Sequence, residues 1–216
     1  MQPLRWVSSF CLILVVTIPA QAAQVTEPPV GNFSAGDASG WETKVFSKPT
    51  EYRIVDLDSR RVLQADCSNT ASAYYRRARI DLHRTPILRW SWRVDGVYTG
   101  LDETQKQGDD YPARLYVVID GGVFPWRTKA LNYVWASAKP TGSVWPNAYA
   151  RQAMMVAVRS GPDGAWHEES RDLRRDFREV FGIEADHIDG VALMTDCDDA
   201  HGRGRAWYGD IRFTSE

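Results

Sequence analysis

Between positions 88 and 94 the chain alternates strictly: Leu88, Trp90, Trp92 and Val94 are apolar, and Arg89, Ser91 and Arg93 stand between them. A period of two puts each set on its own face of an extended strand, and two indoles on one face need a broad second layer to cover them. Shorter alternations predict further strands over 52–56, 62–65, 73–80, 114–120, 132–137, 154–159, 190–194 and 206–213. Turn formers separate them, as in Asp58-Ser59, Asp120-Gly121-Gly122 and Pro140-Thr141-Gly142. One segment breaks the rhythm. Over 172–181, Leu173, Phe177, Val180 and Phe181 recur at helical spacing, with Asp172 placed as N-cap and Gly182 as the residue that ends the helix. Many short strands, one short helix and no long internal repeat predict a mainly β fold, an antiparallel β-sandwich of jelly-roll type, and exclude a propeller or solenoid.

The 216 residues divide unevenly. Arg5, the apolar run over 10–18 and Ala20-Gln21-Ala22 predict a signal peptide over 1–22, cleaved before Ala23. The run is too short to cross roughly 30 Å of hydrocarbon, so no membrane span is expected after cleavage. Pro28-Pro29, Gly31 and Gly36 predict a flexible leader over 23–36, and 37–216 is expected to be one domain in a periplasmic or secreted protein. Of 3 cysteines, Cys11 leaves with the signal, and Cys67 and Cys197 remain. Export allows them to form one disulfide, and two unpaired thiols, one or both buried, are the alternative.

The formal charge of -2, from 26 basic and 28 acidic side chains, offers no general attraction to nucleic acid. The run Arg76-Arg77-Ala78-Arg79 and the arginines of 171–178 are interleaved with Asp81, Asp172, Asp176 and Glu179, so no nucleic-acid partner is expected. The chain lacks G-x-S-x-G, a P-loop, G-x-G-x-x-G after a strand and C-x-x-C, which removes support for nucleophile-elbow hydrolases, P-loop enzymes, Rossmann dehydrogenases and thioredoxin-like chemistry. His83, His167, His187 and His201 are scattered, and no second histidine follows His167-Glu168 at zinc spacing.

Two acidic clusters remain. Gly108-Asp109-Asp110-Tyr111-Pro112-Ala113-Arg114 precedes one predicted strand, and Thr195-Asp196-Cys197-Asp198-Asp199 follows another. The second begins like a calcium loop but has Ala200 at a ligand position, His201 at the turn glycine and Trp207 at the closing glutamate, so it is not an EF-hand. Asp109, Asp110, Arg114, Asp196 and Asp198 are expected to converge at one rim of the sandwich. Trp126, Trp145, Tyr149 and Trp166 fall in turn-rich stretches and are expected at the surface as platforms for a ligand, with Arg114 beside them; Trp90 and Trp92 are expected in the core.

The ordered motifs Trp90-x-Trp92-Arg93-Val94, Gly108-Asp109-Asp110-Tyr111-x-x-Arg114, Leu131-x-Tyr133-Val134-Trp135, Asp172-x-x-x-Asp176-Phe177-x-x-x-Phe181-Gly182, Thr195-Asp196-x-Asp198 and Tyr208-Gly209-Asp210-Ile211 resemble the bacterial exported family called domain of unknown function 3047. The resemblance spans roughly residues 31–213 and implies no particular activity. The ending Tyr208-Gly209-Asp210-Ile211-Arg212-Phe213 is also similar to the closing strand of galactose-binding-like carbohydrate-binding modules. That resemblance implies a structural calcium held by Asp210, the one residue carried over; separately, Asp196 and Asp198 of the second acidic cluster are the candidate oxygen ligands of a calcium site outside the EF-hand pattern, and no other cofactor is expected.

The leading expectation is an exported, non-catalytic module that binds a polysaccharide or another envelope component. A glycan-active hydrolase or lyase using two of Asp109, Asp110, Asp196 and Asp198, with Arg114 stabilising charge, is the enzyme alternative. An envelope scaffold or assembly protein without a small ligand is the third.

Overall fold

The computed structural model describes residues 27–123 and 125–216. The expected signal peptide lies outside them. Among the described residues, thirteen strands and one α-helix follow in the order β1 (Glu42–Val45), β2 (Glu51–Leu57), β3 (Arg60–Ser68), β4 (Ser72–Asp81), β5 (Ile87–Val94), β6 (Ala113–Ile119), β7 (Lys129–Ala136), β8 (Val144–Pro146), β9 (Ala153–Ser160), β10 (His167–Asp172), α1 (Leu173–Phe181), β11 (His187–Met194), β12 (Arg203–Tyr208) and β13 (Arg212–Thr214). They form a sandwich. One sheet has seven strands in the order β1-β4-β11-β6-β7-β9-β8, and the other has six, five of them in the order β10-β5-β12-β3-β2 and the sixth, β13, a further neighbour of β5.

The alternation in β5 gives the core. Leu88, Trp90, Trp92 and Val94 are all at most 3% exposed. Across the sandwich, Trp90 stacks on Tyr133 with ring centroids 5.4 Å apart, and Trp92 meets Trp135 at 5.9 Å. The helix closes one side by burying Leu173 and Phe177 completely. Asp172 caps it by accepting the Arg175 N–H, and Gly182 at φ 67° takes the left-handed conformation that ends it. Asp176, buried on the same face, accepts the Tyr133 hydroxyl at 2.6 Å and the Arg171 guanidinium.

Three features differ from the sequence expectation. The sheets are not wholly antiparallel, because β7 and β9 pair in parallel. The chain reverses into β8 and again into β9, so it re-enters the sheet in the direction of β7. The leader is not loose from residue 27 onward: Glu27 donates to the Phe213 carbonyl, Val30 and Gly31 pair with Ile211, and Val30 and Phe33 are buried. The closing segment offers unpaired backbone there, and two apolar side chains gain by covering the sandwich end. Trp145 is 7% exposed rather than a surface platform; its Nε1 donates to the Glu103 carbonyl.

Cys67 at the end of β3 and Cys197 after β11 form a disulfide, with Cα atoms 6.1 Å apart. It ties the six-stranded sheet to a loop leaving the seven-stranded one. Closing a loop of 130 positions stabilises by roughly 4–5 kcal/mol in the chain-entropy account. No helix among the described residues is long and apolar enough to cross a membrane.

Burial predicts how the aromatic residues divide. Trp145→Ala should cost about 3–5 kcal/mol, as should Trp92→Ala, while Tyr149→Ala, 61% exposed in the parent, should cost less than about 1 kcal/mol. Denaturant midpoints check this; a Trp145 variant as stable as the Tyr149 variant would contradict it.

Candidate functional site

Strand register brings the two acidic clusters together. β11 and β6 are antiparallel neighbours with Met194 opposite Arg114. The residues just past the end of β11 therefore lie beside those just before β6. Asp196 N–H donates to the Tyr111 carbonyl, Tyr111 N–H returns a bond to Asp196 Oδ1, and Thr195 Oγ1 donates to the Pro112 carbonyl. Thr50 and Thr70 pin the second loop from the other side, through the Thr195 carbonyl and the Cys197 N–H.

Arg114 lies at the junction, 2% exposed. Its Nε and one terminal nitrogen hold both oxygens of Asp196, and its remaining N–H groups reach the Asp109 carbonyl, the Asp109 carboxylate at 3.4 Å and the Tyr116 hydroxyl at 3.3 Å. All five donors are occupied. The Tyr111 ring lies under the guanidinium, 4.3 Å from its carbon. Burial works against the charge, but Asp196, Asp109 and the surrounding oxygens keep Arg114 protonated more firmly than usual. Arg114 thus spends its donors within the two loops, while its side chain also lines the cleft above them.

Three further residues complete the support, of which Glu103 and Asn147 carried no sequence signal and Gly108 opened the first acidic cluster. Glu103 is buried, and its carboxylate accepts the N–H groups of Ser137 at 2.6 Å, Ala138 at 3.3 Å and Lys139 at 2.8 Å. Its carbonyl accepts from Tyr111 and Trp145, so the loop before Asp109 is anchored to the loop after β7. Gly108 lets that loop close, since a Cβ would lie 2.3 Å from the Asp102 carbonyl oxygen. Asn147 donates to both Asp109 oxygens at 3.0 Å.

Asp110 is in a different situation. It has no exposed surface; Oδ2 accepts the Ala200 N–H, and Oδ1 is buried without a partner. Burial pushes its carboxyl up to about 6, with Asp198 and Asp199 adding to the rise and the Ala200 N–H and Arg114 opposing it. Asp199, half-buried, is raised by burial and by Asp198. Oxygen atoms of Asp110, Asp196 and Asp198 all lie within 4.8 Å of one another. Asp210, the calcium ligand that the second resemblance implies, lies outside this cluster: its carboxylate accepts from Ser34 N–H at 2.8 Å, Ser34 Oγ at 2.7 Å and Arg212 at 2.7 Å.

Above this junction is a cleft of about 420 Å³ lined by Asp109, Asn147, Tyr149, Asp198, Asp199 and Phe46 among others. It shares Phe46 and Tyr116 with a trough of about 890 Å³ that crosses the outer face of the seven-stranded sheet. Small side chains, Ala73, Gly190 and Ala192, form the trough floor; Tyr75, Tyr116 and Phe46 supply aromatic surface, and Arg77 and Arg79 line it farther along β4. Of the expected platform residues, only Tyr149 belongs here. Trp166 lines a separate cavity on the six-stranded sheet, with Arg60 stacked 5.7 Å above it, and Trp126 is 69% exposed. Tyr75 and Tyr116 were within reach of sequence, since both lie in predicted strands on the face opposite the core residues.

Asp110 predicts a pH signature. Its value of about 6 lies above the ordinary 3.8, so the folded chain binds this proton more tightly than the unfolded one. The resulting stability is full below about pH 4 and is lost as pH rises through about 6, a change of roughly 3 kcal/mol. Asp110→Asn removes it. In chelating buffer, the stability of the variant relative to the parent should rise by roughly 2–3 kcal/mol between about pH 4 and pH 7.5. An equal difference at both pH values would contradict the assignment.

Among solved structures, the chain is similar to the xyloglucanase domain of NopAA, a type three effector from Sinorhizobium fredii, at 11% identity and a TM-score of 0.45 over 82% of this chain and 93% of that one. It is similar to endoglucanase cel12A from Rhodothermus marinus at 12% identity and a TM-score of 0.45, over 88% and 99%. A carbohydrate-binding module from the beta-sandwich super family aligns at 12% identity and a TM-score of 0.42, over 86% of this chain and 61% of that one, less than two thirds of its length. These likenesses concern the fold alone. No protein of curated function matches the sequence. The model of one family covers residues 39–212, and the chain belongs to that family, described as Protein of unknown function (DUF3047).

Proposed function

We propose that this protein is an exported, non-catalytic module that binds a polysaccharide strand along the trough of the seven-stranded sheet, with one end of the strand in the acidic cleft. The observation that carries the reading is that the two spaces adjoin, with Phe46 and Tyr116 lining both. Sugar rings offer apolar C–H faces and hydroxyl edges. Small floor residues admit the ring, exposed tyrosine and phenylalanine surfaces pack on its face, and carboxylates accept its hydroxyls. Phe46 is 60% exposed and Tyr149 61% exposed, an apolar surface that a folded chain gains nothing from leaving in water. The disulfide supports export, because such bonds persist in oxidising compartments.

Binding without turnover suits the carboxylates better than catalysis does. Asp110 has no exposed surface, and Asp196, 2% exposed, is held by Arg114, so neither reaches a glycosidic oxygen without rearrangement. Asp198 and Asp199 are only half-buried and suit hydroxyl acceptance.

Retention on immobilised polysaccharides, measured together with release of soluble sugar, tests the proposal. A retained polysaccharide should be found, without product, and Phe46→Ala and Tyr149→Ala should each weaken retention roughly tenfold, or about 1.4 kcal/mol, with unchanged denaturant midpoints. Sugar release abolished by Asp198→Asn would establish the enzyme instead. Retention indifferent to both aromatic substitutions would place the ligand elsewhere.

A further inference from the structure

We infer that Asp110, Asp196 and Asp198 form a binding site for a hard divalent cation, with calcium the fitting ion. The inference does not depend on the glycan reading. Three carboxylates each offer an oxygen within 4.8 Å of the others, a separation that one ion bonded to oxygens at 2.3–2.6 Å spans. The independent observation is Asp110 itself. It is wholly buried in the cluster, and its Oδ1 has no hydrogen-bond partner while Oδ2 is satisfied by Ala200. A buried carboxylate oxygen left unpaired is costly, and a cation is the partner that would remove the cost.

Charge points the same way. The two loops bring Asp109, Asp110, Asp196, Asp198 and Asp199 together, and the buried cation among them, Arg114, is committed to Asp109 and Asp196. Calcium prefers an all-oxygen donor set of this kind, whereas zinc and copper favour the imidazole or thiolate that this cluster does not contain. The loop is also held in place before any ion arrives. Cys197 stands between two of the ligands, bonded to Cys67, with its N–H on the Thr70 carbonyl.

The full chain, stripped with chelator and exchanged into metal-free buffer, is titrated with calcium chloride by calorimetry and melted with and without the ion. One site per chain is expected, with a midpoint rise of roughly 5–10 °C at a hundredfold excess over Kd. Asp198→Asn, at a half-buried position, should melt in chelator within about 2 °C of the parent and lose at least tenfold in calcium affinity. Asp210→Asn should bind calcium like the parent. Absence of both heat and midpoint shift up to about 10 mM calcium, beyond the weak range of extracellular calcium modules, would overturn the inference. So would an Asp198→Asn variant that keeps the parental affinity.

Discussion

A guanidinium buried between two loops is the contact on which the candidate site depends. Arg114 sits on β6, Asp109 just before that strand and Asp196 just beyond its neighbour β11, so one side chain joins the approach to one strand with the exit from another. Burying a charge is expensive unless every donor is met, and here the fork geometry of arginine meets two carboxylates, a carbonyl and a hydroxyl at once. Lysine could not satisfy that set. With Arg114 committed to Asp109 and Asp196, no salt bridge among the described residues pairs Asp110, Asp198 or Asp199.

The site stands on a sheet whose two faces do different work. Its inner face packs large side chains against the β5 indoles, and its outer face carries small residues between tyrosines. Ala73, Ala192 and Met194 pack with Ala71 as a separate cluster flanked by Tyr75 and Tyr116. The trough is therefore mixed, apolar and aromatic near Ala73, Ala192 and Tyr116 and charged farther along β4 at Arg77 and Arg79, and the proposed binding face is its apolar part.

Much of the fold was legible because burial on one face imposes period two on a strand, and Leu88 to Val94 display it plainly. The helix was legible for the same reason at its own period, with both ends marked by Asp172 and Gly182. β1, all exposed, and β8, three residues long, have no buried stripe to announce them. β10 has an alternation of half-buried and exposed polar residues, which carries no hydrophobic signal. The two acidic clusters could be located as strand ends, but the pairing of β11 with β6 that unites them is a long-range fact. Arg114 was visible as a neighbour of acids; that it spends every donor on them depends on packing. Trp145 was misplaced because a turn-rich neighbourhood does not reveal that Glu103 waits to accept its indole N–H.

The claim that Arg114 and Asp196 act as one unit is tested most directly by a double-mutant cycle on folding stability in the absence of divalent cations. Arg114→Met and Asp196→Asn should each cost about 3–5 kcal/mol, because each leaves a buried partner uncompensated. Combined, they should cost less than the sum by about 2 kcal/mol or more, since neither charge is then left alone. Costs that add to within about 0.5 kcal/mol would show that the two side chains are not coupled and would contradict the account of the site as one assembly built around Arg114.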